Sequence, residues 1–536
     1  METAEAPKIP TTAQRKSPTP ATEDRISYLP DEILAHILFL LPTKQAVATS
    51  VLSRRWKDVW TGVYNIHLDF RNRFGESEIV ANAQEIRERR YLEFCRFVGT
   101  VLSRHKNLNS VRRFRFHFAM DDVGCKERPN FWLQMGFSPD ESQLEVMDVE
   151  LRGDEWNEDP FSLRWLPESF YRLKRLEILK LDGVTLETRT GSIFLPSVRK
   201  LLLLNAVFKS CAALSKLISG CPVLEALQIE GCRHSNKEES DTLNAFLPCL
   251  KKLTIIGDIL YHDHCIVIDA PSLEHLYLDE YPELQLSQDG SRPLQCLHSA
   301  LLEQGESGIS NRGLTRLLAQ ISNAKVLWLS WRTLDLLSNG VRLPIIPNDD
   351  AIARLPMFPN VTHLTIGSPA RRSTLYYLLN SVPKLQSLVI NLDDGWGMLD
   401  WRGSEEPACT PECLLSSLEE IEINYLVADD AELEMGACLL EAGVALKKAN
   451  LHIMYDDSHL YDEYRHYMND IHNRLGSLVK LVRSSRGYEV HLFLPDGDEI
   501  HVDSDDQTDG NDDVDGMDDD DTNNDGSRRG RGANEH

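Results

Sequence analysis

The chain has 536 residues, 42% of them hydrophobic, and a net charge of −26, enough apolar material for several domains or one long repeat array. Fifteen acidic residues and no Lys or Arg fall in 496–525, so more than half of the charge belongs to one segment, and the moderately acidic remainder argues against nucleic acid as the main partner. No apolar run is long enough to span a bilayer, the first twenty residues lack the apolar stretch of a secretory leader, and eleven scattered cysteines read as reduced thiols of a nuclear or cytoplasmic protein.

Residues 1–22 carry Pro7, Pro10, Pro18 and Pro20 among Thr, Ala and charged residues and read as a flexible lead. Ser17-Pro18 and Thr19-Pro20 fit proline-directed phosphorylation as well as ordinary linker composition. Residues 23–62 read as three short helices. Pro30 suits a first helical position, and Asp31 and Glu32 complement the dipole behind it. Ile33, Ile37, Leu40 and Leu41 form one apolar stripe, and Leu34 and Leu38 form a second beside it. Pro42 ends this helix and Thr43 is placed to cap the next, which carries Val47 and Val51 on one face. Leu52, Trp56, Val59 and Trp60 continue that face, with Arg54, Arg55 and Lys57 toward solvent. Some 40 residues rarely hold a stable core alone, so the surplus apolar surface calls for a partner.

In order, Asp24-Arg25-Ile26-Ser27, Leu29-Pro30-Asp31-Glu32-Ile33-Leu34, Leu41-Pro42-Thr43-Lys44 and Val51-Leu52-Ser53-Arg54-Arg55-Trp56-Lys57 resemble the F-box of plant F-box proteins with leucine-rich repeats. Gln45 and Ala48 replace the Asp and Arg common in that version. The resemblance implies docking on a Skp-type adaptor and, through it, on cullin and RING subunits. Carried across, the contact has Leu29 and Pro30 entering the adaptor, with Ile33, Ile37, Leu41, Pro42, Val51, Leu52 and Trp56 around them.

Residues 63–110 read as a linker. Ile66–Phe70 alternates briefly, and 83–104 has helical spacing, with Phe94, Phe97, Val98, Val101 and Leu102 on one stripe that welds the module to the region beyond it. Arg113–Phe118 alternates as a half-buried strand. Repeats then fill 111–408. The pattern L-x-x-L-x-L starts at Leu176, Val198, Leu224, Leu250, Leu273, Ala324, Val361, Leu385, Leu418 and, weakly, Leu446, with a degraded unit expected around Leu294–Leu297. Pro196, Pro222, Pro248, Pro271, Pro359 and Pro383 stand two residues before a start and mark the turn into each strand. Residues 211–222, 314–323 and 373–383 read as helical returns. Neighbouring units bury their apolar faces by stacking, which gives an α/β architecture: the N-terminal helices followed by a leucine-rich-repeat solenoid. Only Cys232 fills the Asn/Cys position of the regular motif, Val184, Ala206 and Asp258 standing elsewhere, so the solenoid is expected to be irregular.

Trp401, Glu406-Pro407, Thr410-Pro411-Glu412-Cys413-Leu414 and Leu415-Ser416-Ser417-Leu418 are similar to the FBD segment that ends many of these proteins, placing a terminal segment at 409–457 with a helix at Ala431–Ala442 and a last strand at Lys447–Met454. Residues 458–495 read as a cap, a helix over Tyr461–Val482 and an edge strand over Tyr488–Leu494. Residues 496–536 are too charged to order themselves and read as a disordered acidic tail.

No catalytic constellation is present: the sequence has no phosphate-binding glycine loop, no G-x-S-x-G and no H-E-x-x-H. His262-Asp263-His264-Cys265 lacks a second ligand pair and reads as a polar turn before a strand at Cys265–Ile268. Asn511-x-Asp513-x-Asp515-Gly516 fails the calcium-loop pattern at its first and twelfth ligands. The expectation is therefore a non-catalytic chain with no cofactor and no metal. On the exposed side of the strands, Lys180, Asp182, Gln228 and Thr254 read as plain solvent positions. Tyr277, Asp279, Trp328 and Ser330 are the candidate contacts for a protein substrate, with Trp328 as the anchor. The reading is a substrate receptor of a Skp–cullin–F-box ubiquitin ligase. Its rivals are a scaffold that binds the adaptor without delivering substrate, and a helix-turn-helix DNA reader using Arg54, Arg55 and Lys57.

Overall fold

A strand with apolar residues at alternate positions buries one face, and in this chain one register repeats that arrangement throughout. The computed structural model describes residues 26, 28–70, 83–120, 137–153, 168–186, 192–208, 210–234, 242–257, 265–280, 283–287, 292–303, 311–340, 355–369, 371–392, 410–426, 430–454, 488–493 and 499–500. The expected lead, the His262–His264 turn, the helix over Tyr461–Val482, and residues 501–536 with the calcium-like run lie outside these. So does the first part of the FBD-like stretch, through Cys409.

The N-terminal helices are α1 (Asp31–Phe39), α2 (Thr43–Ala48) and α3 (Trp56–Val59), followed by the long helix α4 (Ala83–Arg104). Among the described residues, one sixteen-stranded sheet runs through the rest. Its strands are β1 (Asn65–Asp69), β2 (Arg113–Met120), β3 (Val146–Gly153), β4 (Ile178–Asp182), β5 (Lys200–Leu204), β6 (Ala226–Glu230), β7 (Lys252–Ile256) and β8 (His275–Asp279). They continue as β9 (Ser299–Glu303), β10 (Val326–Leu329), β11 (His363–Gly367), β12 (Ser387–Asn391), β13 (Glu420–Leu426), β14 (Lys448–Ile453), β15 (Glu489–Phe493) and β16 (Glu499–Ile500). Spatial order follows chain order, and each pairing is parallel except the last. Described returns carry α5 (Cys211–Ser219), α6 (Asn311–Gln320), α7 (Trp331–Gly340), α8 (Arg372–Asn380), α9 (Glu412–Ser416) and α10 (Asp430–Ala442). Other returns add short parallel ladders, Thr185–Leu186 with Val207–Phe208 and Arg233–His234, and Leu243–Phe246 with Cys265–Asp269 and Glu283–Gln285.

Two apolar ladders make the core. One runs from Ile66 through Phe114, Met147, Leu179 and Leu201 to Val490; the other runs from Leu68 through Phe116, Val149, Leu181 and Leu203 to Leu492. Every member of both is buried. Each of the ten pattern starts lies two residues before a strand, so the leucine spacing located β4 to β8 and β10 to β14. Ala300 stands in the degraded unit, which is β9, and burial of its neighbour Leu302 holds the register. The same spacing, with other apolar residues in it, extends toward the N-terminus as Val63-x-x-Ile66-x-Leu68, Val111-x-x-Phe114-x-Phe116 and Leu144-x-x-Met147-x-Val149. Glu499–Ile500, which composition placed in the acidic tail, instead closes the sheet by pairing antiparallel with β15.

The prolines have a second role. Val198 N donates to Leu195 O, and Leu224, Leu250 and Leu273 repeat this bond to Cys221, Leu247 and Ala270. Each proline is thus the second residue of a β-turn, where its fixed φ fits. After the strands, Gly183, Asn205, Gly231, Gly257 and Glu280 all have φ between 47° and 83°. Each turns its N–H onto the next strand: Gly231 N donates to Ile256 O at 2.9 Å and Gly257 N to Asp279 O at 3.0 Å. A Cβ on Gly231 would lie 2.6 Å from Asn205 Oδ1. Gly231→Val should therefore cost about 1–2 kcal/mol from backbone conformation alone, read as an earlier unfolding midpoint in urea.

The join between module and repeats is continuous. β1 follows α3 directly and pairs with β2, and Lys106 N donates to Thr61 O and Arg112 N to Tyr64 O. On α4, Val98, Val101 and Leu102 are buried, and the Phe94 ring lies 4.9 Å from that of Phe70. The interval expected to be a linker thus contributes the first strand of the sheet.

Candidate functional site

Of the two stripes on α1, the structure turns the second inward. Leu34, Ala35 and Leu38 pack with Ala46, Trp56, Val59, Trp60 and Val63, while Ile33, Ile37 and Leu40 face outward. Two prolines set the ends. Pro30 precedes α1 and its carbonyl accepts from Ile33 N and Leu34 N; Pro42 precedes α2 and accepts from Gln45 N and Ala46 N. Thr43, expected as a cap, is the first residue of α2, and its hydroxyl accepts from His67 N at 2.7 Å. Asn65 Nδ2 donates to Phe39 O, so the first and middle residues of β1 both hold the helices. Arg55 is exposed, as expected, and its guanidinium also pairs with Asp31 at 2.8 Å and donates to Leu29 O, which ties the chain entering α1 to the end of the module.

The outcome is a closed small core beneath an open apolar face. Val51, Leu40, Leu52, Ile33 and Ile37 are between 40% and 85% exposed. Pro30 and Pro42 are exposed beside them, and Leu29 and Leu41 are half-buried against the core. Trp56 departs from expectation: at 8% exposure it belongs to the core of the module, because α3 packs its first turn against α1. Tyr28 and Leu40 are exposed apolar groups absent from the residues expected to contact the adaptor. Leu40 lies on the Ile33–Ile37 stripe, which was the signal that could have found it.

On the sheet, Tyr277, Leu301 and Trp328 are aligned on β8, β9 and β10, all half-buried on the face opposite the leucine ladders. Burial and the neighbouring carboxylates Glu303 and Asp279 raise the Tyr277 hydroxyl; burial and Glu280 raise Asp279. Ser330 does not share this surface. It is buried, and its hydroxyl lies 3.1 Å from Thr333 Oγ1 at the start of α7, because the chain turns into that helix directly after β10. Asp182 is likewise buried, its carboxylate accepting from Asn205 Nδ2 at 2.9 Å.

Three stretches match known domains: 26–68 the F-box domain, 140–300 the leucine-rich repeats of FBD-associated F-box protein At5g56370, and 405–451 the FBD. F-box/FBD/LRR-repeat protein At2g04230 of Arabidopsis thaliana is 30% identical over 442 residues, 80% of this chain and 88% of its own length. The chain belongs to the F-box/FBD/LRR-repeat family. FBD-associated F-box proteins At5g38590 and At4g10400 of the same plant are 29% and 26% identical, each over 80% of this chain. The F-box match reaches into β1, ending at Leu68. The FBD covers β13 and α10 and reaches into β14, two further units of the same ladder.

Burial also sorts the thiols. It pushes Cys221 and Cys232 up to about 12 and Cys413 to about 11, whereas Cys249 and Cys296 are exposed. Because the thiolate is the nucleophile, mild alkylation of the native chain should label Cys249 and Cys296 first and the buried three only after denaturation, as read by peptide mass spectrometry.

Proposed function

We propose that this chain is the substrate-recognition subunit of a Skp–cullin–F-box ubiquitin ligase. Its F-box docks on a Skp-type adaptor and so reaches the cullin and RING subunits, while the repeats, stacked as an irregular solenoid, hold a target protein for ubiquitination. The observation that carries this reading is the open face of Ile33, Ile37, Leu40, Val51 and Leu52 over a module whose core is already complete. A concentration of exposed aliphatic side chains on so small a module marks an interaction site. Tyr277 and Trp328 are the proposed substrate contacts on the sheet. The chain performs no bond chemistry: it raises the effective concentration of a target near the ubiquitin carrier, a role that needs position and not a tuned catalytic group. The place of action is nuclear, cytoplasmic or both.

Co-precipitation of the full chain with a purified Skp-type adaptor tests the first step, and absence of a complex would sink the reading. Reconstitution with cullin, RING, ubiquitin and the activating and carrier enzymes tests the second. Adaptor binding without ubiquitin transfer to any captured protein would leave a scaffold in place of a receptor.

A further inference from the structure

The register that stacks the leucines also brings polar residues together on the opposite face, and at the first two strands it assembles a ligand set. His67 and Asp69 are alternate residues of β1, so both side chains leave the same face. Asp69 pairs across to His117 on β2, whose ring meets that of His67 edge-on with centroids 5.5 Å apart. His67 Nε2 lies 3.8 Å from Asp69 Oδ2, and one donor atom from each of the three residues lies within 4.8 Å of the other two. Ligands bonded to tetrahedral zinc at about 2.0–2.1 Å sit about 3.3 Å from one another, a contraction within reach of side-chain rotation.

His117 supplies the second, independent observation. It is only 6% exposed, and neither ring nitrogen has an aligned hydrogen-bond partner. Its Nε2 lies 3.1 Å from Asp148 Oδ2 on β3, a close contact out of hydrogen-bond alignment. Burying an imidazole this way costs free energy unless something meets its lone pair. Asp148 has its own cations, Lys180 at 3.6 Å and Arg115 at 3.8 Å. A carboxylate beside a ligating histidine is the usual device for fixing ring orientation at a metal. The row continues from His117 to Glu150 and then Asp182, both buried, which adds negative potential on the side away from Asp69.

We propose that His67, Asp69 and His117 form a site for a divalent transition-metal ion of the zinc class, a water completing its shell. The ion clips β1, the strand contributed by the F-box region, to β2, and so fixes the docking face relative to the repeats. Two imidazoles and one carboxylate suit this class better than calcium or magnesium, which take oxygen ligands. Sequence spacing could not reveal the site, since one ligand lies far along the chain from the other two and only strand pairing joins them.

The test uses the full chain, stripped by a chelator and titrated with Zn²⁺ alone and then with Co²⁺. One equivalent of Zn²⁺ should bind and raise the melting temperature, and the Co²⁺ spectrum should show nitrogen and oxygen ligation without a thiolate charge-transfer band. His67→Gln and Asp69→Asn, at half-buried positions and checked by circular dichroism, should each weaken Zn²⁺ binding at least ~100-fold and remove the thermal shift. No binding at millimolar Zn²⁺, equal binding by the folded variants, or a thiolate band would overturn the site.

Discussion

Replacing Ile37 and Leu52 together by aspartate should abolish capture of a Skp-type adaptor by the full chain while leaving its melting temperature nearly unchanged. Both side chains are exposed in the isolated chain, at 40% and 65%, so neither substitution opens a hole in the F-box core. On docking they would pass into an apolar contact, where each aliphatic side chain is worth about 1.5–3 kcal/mol. Losing both, and adding two carboxylates that must shed water, amounts to more than ~4 kcal/mol, or a factor of about 10³ in Kd. Calorimetric titration of adaptor into parent and variant measures this directly. Retained affinity in the folded double variant would remove this face from the interface. It would not by itself touch the proposed zinc site, which lies on β1 and β2.

Trp56→Ala should act in the opposite way, lowering stability before it affects any contact. Trp56 is buried in the same cluster as Leu34, Leu38, Val59 and Trp60, so truncation leaves a cavity in that core. The expected loss is about 3–5 kcal/mol, visible as an early first transition in urea followed by circular dichroism. Trp56→Phe should recover most of it and keep adaptor binding. A Trp56→Ala chain that unfolds normally yet fails to bind would place the indole at the interface and contradict its burial.

Much of the sheet was legible because its signal is local. The spacing of Leu224, Leu227 and Ile229 recurs unit after unit, and a strand with period two has little alternative but to bury that set. Leu-for-other exchanges hid the earlier units. Phe114 and Phe116, and Met147 and Val149, fill the same rungs as the leucines, but a search keyed to one residue type passes over them. The docking face was half legible. The surplus of apolar residues on α1 showed that a partner was required, and the order of Leu29-Pro30 to Trp56-Lys57 indicated its kind. Which stripe faced that partner was hidden, since periodicity counts apolar positions without giving them a direction.

The sequence by itself thus determined the repeat length, the turns at the prolines, the extent of α4 and the family. Each of these rests on interactions between residues a few positions apart. Tertiary structure alone decided that Leu34 and Leu38 point inward and Ile33 and Ile37 outward, because α3 and the turn Trp60–Gly62 pack against only one side of α1. It alone drew Trp56 into the core, Ser330 onto the start of α7, and β1 into the sheet. It alone set His67 and Asp69 beside His117. The physical reason is common to all of these: side-chain direction and strand register are fixed by the element packed alongside, and that neighbour lies elsewhere in the chain.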